Sequence, residues 1–518
     1  MLISVTGAKC LGLDAHKVTV EVDICPGVGI HLVGLADTAV KESLLRIVTA
    51  LQALGFHVPG RKIVINLAPA DMLKKGGGYD LPIAAGIIAA SGQRQMPRLG
   101  DFLIMGELGL DGSVRGIGGA ISFAEMARDM GMKGCILPLS SALETVRMDG
   151  IPVYGVKSLE EAMRVLEGDN CDELLASSLA REMAGEDRED SGAYMDFGEI
   201  IGQQSAKRGM EIAAAGGHNV IMIGPPGSGK SSMAKALAGI LPPMSKEESL
   251  VTTKIYSVAG KGVPRSGLIT RRPLRSPHYS VSMAAMIGGG SGDAIMPGEV
   301  SLAHNGVLFL DEFNQSPKSV IEALRGPLED RLVTVSRLKT RVVYPSSFML
   351  VAAANPCPCG YWGDGDRCTC TVGQRQGYFS RLSGPILDRI DIQLFVKSLS
   401  AAEMLGRGDH GRRESSAEVA RRVASAREIQ HSRLEGEGIF TNAEMSSRQL
   451  EAFCPLGEDC RNLLERLIDR AGLSARAFTR IIKVARTIAD LAGAADIMPE
   501  HLAEAAGYRF LDKKDFGM

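Results

Sequence analysis

Net charge is almost absent from this 518-residue chain: it carries −2 at pH 7. No global basic field can draw in a polyanion, so any nucleic-acid contact has to rest on local patches. Aromatic residues are scarce, at 5% with a single Trp, which argues against a long platform for base stacking. No apolar run approaches the ~20 residues a membrane-spanning helix needs; "LPIAAGIIAA" stops well short. The opening "MLISVTGAKCLGLDAHKV" lacks the basic-then-apolar pattern of a secretory leader. Together these absences predict a cytoplasmic protein with no membrane partner. What is present, 45% hydrophobic and 23% charged residues, suits a folded soluble chain, and one too long for a single core.

The fold class predicted is α/β and multidomain. Residues 1–168 mix strand-like runs ("KVTVEVDI", "RKIVINLAP", "GCILPL") with helical ones ("AVKESLLRIVTALQALG"). Residues 169–195 are acidic and poor in large apolar side chains, and read as a linker with room for a helical turn or two. From 196 to 397 strands and helices alternate, predicting a mostly parallel sheet. From 398 to 518 the pattern is helical. "SARAFTRIIKVARTIADLAG" sets Phe478, Ile481, Ile482, Ala485, Ile488 and Leu491 on one face, with Ser474 as N-cap and Gly493 as stop.

The sharpest local signal is "NVIMIGPPGSGKSSMAKALAGIL". An apolar strand, Val220–Ile223, runs into Gly224, Pro225, Pro226, Gly227, Ser228, Gly229, Lys230, Ser231 and Ser232, and then a helix. Such a loop wraps backbone N–H groups around a phosphate, and the helix N-terminus favours its charge. Lys230 is expected to reach the β- and γ-phosphates of ATP and Ser231 to ligate Mg²⁺. "GVLFLDEF" supplies a second strand, ending in Asp311 for Mg²⁺ and Glu312 to polarise the attacking water.

With these motifs the chain resembles the AAA+ ATPases, in their magnesium-chelatase-like branch. The resemblance implies that Asn355, closing "FMLVAAANP", aligns the hydrolytic water. It implies that Arg389 of "SGPILDRIDI" reaches the γ-phosphate of a neighbouring subunit, and that Arg476 of "SARAF" contacts nucleotide from a helical lid. An arginine acting in trans requires self-association, with a hexameric ring implied.

Residues 1–168 resemble the Lon-protease-like α+β domain at the front of the YifB/ComM family. The matching runs are "VGLADTAVKESLLRIVTAL", "INLAPADMLKKGGGYDLPIAAG" and "GELGLDGSVRGIGGAISFAEMA". Ala84 stands where the nucleophilic Ser is expected, and Ile121 where the Lys is. Neither can do that chemistry, so the domain is expected to be proteolytically inactive and to serve assembly or partner binding.

Within 355–370, "NPCPCGYWGDGDRCTC", stand Cys357, Cys359, Cys368 and Cys370. Two C-x-C pairs are compatible with structural Zn²⁺ held by four thiolates, which would order a loop that has no core of its own. A pair of disulfides or four free thiols are the other readings. The remaining cysteines lie scattered and are expected as free thiols.

Two basic segments could touch a phosphate backbone. One carries Arg271, Arg272, Arg275 and His278 ahead of a Gly-rich loop; the other is a hairpin with Arg337, Lys339 and Arg341. The resemblance implies an ATP-driven ring motor on DNA, helicase-like in branch migration during natural transformation or recombination. A magnesium-chelatase ATPase subunit or a protein-complex remodeller are the alternatives. The first would need porphyrin-dependent partners; the second would respond to protein alone.

Overall fold

The computed structural model describes residues 2–183, 194–264, 267–290, 295–336, 341–364, 367–382, 384–399, 413–471 and 474–512. In the first unit alternation decides the register. Strands β1 (Leu2–Leu11) and β2 (Asp14–Cys25) form a hairpin, and Val18, Val20 and Val22 all point into one core. Its tight turn uses Gly12 at φ 68°. The sheet continues through β3 (Ile30–Val33), β4 (Lys62–Ala68), β5 (Phe102–Ile104), β8 (Gly134–Pro138) and β9 (Val153–Val156). The order is β3-β4-β2-β1-β5-β8-β9. Two short strands, β6 (Glu107–Leu108) and β7 (Val114–Arg115), pair separately. Helix Asp80–Ala90 is apolar on every side and accordingly is buried almost throughout.

The linker expected over 169–195 is folded in its first half. Leu174 and Ala176 join the first core, and helix Ala176–Met183 follows. The apolar residues there are few but regularly spaced, which suffices for one amphipathic turn-and-helix. The rest of that stretch, 184–193, lies outside the described residues.

The second unit holds a sheet of five parallel strands: β10 (Val220–Ile223), β11 (Leu274–Arg275), β14 (Val307–Leu310), β17 (Met349–Ala354) and β18 (Ile392–Phe395). Their order is β11-β14-β17-β10-β18, with every neighbour parallel. Central strands β10, β14 and β17 are buried along their whole length, as a sheet covered on both faces requires. Two ribbons project from it: β12 (Gly288–Gly289) with β13 (Met296–Pro297), and β15 (Leu332–Ser336) with β16 (Arg341–Pro345). Arg341 is exposed at the end of the second ribbon; Arg337 and Lys339 lie outside the described residues.

The last unit is helical. In helix Ala475–Leu491 the expected face is observed: Ile481, Ile482, Ala485 and Ile488 are buried, with Phe478 and Leu491 packed at its margin. Ser474 caps its N-terminus by accepting from the Ala477 N–H at 3.2 Å, and Gly493 follows its end at φ 67°. This helix shares one core with helix Gln204–Gly216 of the second unit, so the two units form a continuous body.

The first unit docks on helix Lys246–Val258 and on the β15–β16 ribbon. Leu13, in the β1–β2 turn, packs into the core beneath that ribbon. The Gly119 N–H donates to the Ser257 hydroxyl at 3.0 Å, Ser257 donates to Glu144, and Lys254 pairs with Glu125. Among the described residues no helix is long and apolar enough to cross a membrane.

Burial at this contact pushes the Glu144 carboxyl up to about 7 from its ordinary 4.5. Between those values the folded chain keeps a proton that the unfolded chain releases. The associated stability is complete below pH 4.5 and is lost as pH rises through about 7. We expect the melting temperature to fall over that window, and Glu144→Gln to flatten the slope in a thermal-shift pH series.

Candidate functional site

β10 delivers Gly224 to the carboxyl edge of the parallel sheet, where ligands of such sheets bind. A Cβ on Gly224 would run into the Val396 carbonyl, so only glycine fits. Gly227 and Gly229 take left-handed φ of 75° and 89°. Helix Lys230–Ile240 then starts with no side chain capping it, which leaves its first N–H groups for an anion. The Ser228 hydroxyl is buried here with no hydrogen-bond partner among the described residues. Lys230 is buried and donates to the Gly224 and Pro225 carbonyls at 2.7 and 2.9 Å. Burial lowers its pKa, while Asp311 nearby favours the charged form. Hydrogen-bonded to neutral carbonyls and in no salt bridge among the described residues, the ammonium keeps charge to offer a phosphate.

β14 ends beside the loop. The Ser231 hydroxyl donates to the Asp311 carboxylate at 3.1 Å, bringing together the two expected Mg²⁺ ligands. Glu312 sits at φ 47°, a strained value for a residue with a side chain. Glu312, Asn355, Asp311 and the loop all line one cavity of about 740 Å³. The donor set fits a nucleoside triphosphate with Mg²⁺: N–H groups and an ammonium for phosphates, a hydroxyl and a carboxylate for the metal.

The opposite wall was not anticipated as part of this site. Ser276, Pro277, His278 and Tyr279 line the cavity, with the His278 and Tyr279 rings 4.2 Å apart. They follow β11, and residues after any strand of a parallel sheet arrive at the same edge; the short strand Leu274–Arg275 is the signal that places them. The basic segment containing them is otherwise engaged within the chain. Arg272 pairs with Glu248 at 2.9 Å, Arg275 with Glu299 at 2.7 Å, and Arg271 lies over the Tyr194 ring. The expectation that Arg272 and Arg275 face a phosphate backbone is thus corrected, because buried or half-buried guanidinium groups need internal carboxylates.

Arg389 and Arg476 lie at the other edge. Arg389 precedes β18, and its buried guanidinium pairs with the half-exposed Glu329. Arg476, expected at the nucleotide, instead pairs with Asp388 at 2.9 Å and does not line the cavity. The reason is an anchor one helical turn on. Arg480 forms an ion pair with buried Asp391, whose other oxygen accepts from the Asn219 N–H at 3.0 Å. His218 lies 3.5 Å from the same carboxylate and 2.8 Å from the Thr487 hydroxyl. Burial alone would raise the Asp391 carboxyl, but Arg480 and His218 hold it well below the usual carboxylate range. Asp391→Asn removes the buried carboxylate that pairs with the partly buried Arg480. We expect a loss of about 3–5 kcal/mol, read as a lower urea midpoint with unchanged slope.

The four clustered thiols converge. All four Sγ atoms lie within 4.8 Å of one another, with pairs at 3.2, 3.7 and 3.7 Å. A tetrahedral zinc with Zn–S near 2.3 Å places its sulfurs about 3.8 Å apart, so the cluster fits one ion and is compatible with structural zinc. The Tyr361 backbone N–H helps hold the Cys359 thiol down to about 6, whereas burial pushes the Cys357 thiol up. None of the ten cysteines forms a disulfide. In the first unit, Ala84 and Ile121 are fully buried. Ser122 donates to the Leu13 carbonyl and Lys74 to the Pro69 carbonyl, so these nearby groups form no Ser–Lys dyad.

Family comparisons agree with this architecture. The model described as magnesium chelatase, subunit ChlI, matches residues 196–404. That described as subunit ChlI of Mg-chelatase matches 20–141, and the ChlI C-terminal model matches 413–509. The chain is 41% identical to the uncharacterized protein YifB of Salmonella typhimurium, over 97% of this chain and 96% of the relative. It is 41% identical to competence protein ComM of Haemophilus influenzae, over 96% of each. An archaeal Lon protease of Methanocaldococcus jannaschii is 27% identical over 31% of this chain and 26% of its own. With relatives matched from end to end and the ATPase cavity in place, the chain belongs to the YifB/ComM family of magnesium-chelatase-like AAA+ ATPases.

Proposed function

We propose that the protein is an ATP-hydrolysing ring motor acting on DNA in the cytoplasm, driving branch migration during natural transformation or recombination. The observation that carries the ring is the division of the site between two edges. Lys230, Ser231, Asp311, Glu312 and Asn355 gather at the carboxyl edge, whereas Arg389 and Arg476 stand at the amino edge of the same sheet. One chain holds the parts of an ATPase without its arginines, and a neighbour packed edge to edge supplies them. A hexamer is the assembly proposed.

In this reading the loop N–H groups and Lys230 hold the phosphates. Ser231 and Asp311 hold Mg²⁺, which neutralises charge on the phosphate oxygens. Glu312 accepts a proton from the attacking water, oriented by Asn355. The neighbour's Arg389 exchanges Glu329 for the γ-phosphate and stabilises the charge that develops there. Arg476, exposed beside it, joins the same contact. The DNA part is supported by the competence designation of the Haemophilus relative and by the exposed Arg341 on the β15–β16 ribbon. Zinc in the cysteine cluster is proposed as structural.

Lys230→Ala should abolish hydrolysis, and Glu312→Gln should keep nucleotide binding while lowering kcat by about 10²–10⁴-fold. Mixing inactive Lys230→Ala with inactive Arg389→Ala should restore hydrolysis, because mixed interfaces pair an intact loop with an intact arginine. No restoration at any ratio would rule out a shared site. For the DNA reading, ATPase rate is measured with and without a four-way junction at low and moderate salt. Stimulation that falls steeply with salt is expected; a rate indifferent to DNA would direct attention to porphyrin or protein partners.

A further inference from the structure

The cysteine cluster does not stand apart from the nucleotide cavity. Cys357 is fully buried and lies two residues beyond Asn355, so whatever fixes its sulfur also fixes the backbone that aims Asn355. The turn between the first pair and the second leans on the phosphate loop itself. Gly360, at φ 85°, is so close to Pro226 that an added Cβ would sit 2.9 Å from the proline Cδ. Three residues on, a Cβ on Gly363 would lie 2.8 Å from the Phe395 ring, at the end of β18. The loop thus touches the carboxyl ends of β17, β10 and β18 together. Its own apolar support is slight: Trp362 meets Phe379 edge-on, with Arg375 over its face. A polar loop with so little core is not held against three strand ends by packing alone.

We propose that the cluster is a metal-dependent clamp on the ATP cavity. Four thiolates around one zinc ion press the Gly360 turn against Pro226 and set Asn355, so that metal occupancy governs how tightly the cavity holds nucleotide. This rests on the zinc and ATP readings above and goes beyond them by assigning the metal a role in nucleotide affinity. If the metal-free loop leaves the competent conformation, the apparent Kd rises by the inverse of the fraction that remains.

The test uses the full chain. Zinc is counted by mass spectrometry, and binding of a fluorescent ATP analogue is measured in excess Mg²⁺ before chelation, after it, and after zinc is returned. One zinc per chain and a weakening of about tenfold or more on removal, reversed by zinc, are expected. Gly360→Ala is the second arm. It keeps all four thiols and should retain zinc and a native melting curve, yet bind the analogue with similarly reduced affinity. Zinc removed with affinity unchanged would overturn the clamp and leave the structural-zinc reading standing, as would Gly360→Ala with normal affinity. A chain that neither carries nor takes up zinc would overturn the zinc reading and the clamp with it. A zinc-loaded chain that binds no analogue would overturn the ATP reading instead.

Discussion

Parallel pairing of β10, β14, β17 and β18 is the constraint from which the functional geometry follows. Each strand enters from the amino edge and leaves at the carboxyl edge, in register from Val220–Ile392 to Leu310–Ala352. Segments far apart in sequence therefore end side by side: the phosphate loop after β10, Asp311 and Glu312 after β14, Asn355 after β17. The same rule sends the residues before β18, Arg389 among them, to the far edge. No local preference of those segments produces this split; it is a property of the sheet's direction.

Two buried charges mark the two edges, and their partners decide what each can do. Lys230 is held by neutral carbonyls, so its charge stays available to an anion. Asp391 is countered by Arg480 and bonded to the Asn219 backbone, so its charge is consumed in joining lid to sheet. Arg389 stands between these cases. Its carboxylate partner Glu329 is half exposed, and its buried Nε has no partner among the described residues.

In the first unit the core encloses Ala84 and Ile121, the two positions where a Lon-type nucleophile and lysine are expected. Ala84 and Ile121 contribute apolar area where polar atoms would need partners. The first unit is attached to helix Lys246–Val258 through Ser257 and Lys254, and to the β15–β16 ribbon through the β1–β2 turn. That helix belongs to the ATPase unit.

The residues that declare themselves locally were legible in the sequence. A glycine-rich loop between strand and helix needs no partner to be recognised, nor does an apolar strand ending in Asp-Glu, a spaced set of thiols or the apolar stripe of helix Ala475–Leu491. Each is specified by neighbours within a few residues. Side chains whose role depends on what lies across space were not. Arg272 and Arg275 read as available cations but have carboxylates waiting on other elements. His278 and Tyr279 reach the ATP cavity only because β11 joins the sheet. Residues 172–183 fold because the first core offers a surface for a few spaced apolar side chains. By itself the sequence determined which chemistry the chain carries, because backbone and side-chain spacing encode it locally. Which charges remain free to use that chemistry, and at which edge, was decided by tertiary structure, because the pairing of a charge is a long-range contact.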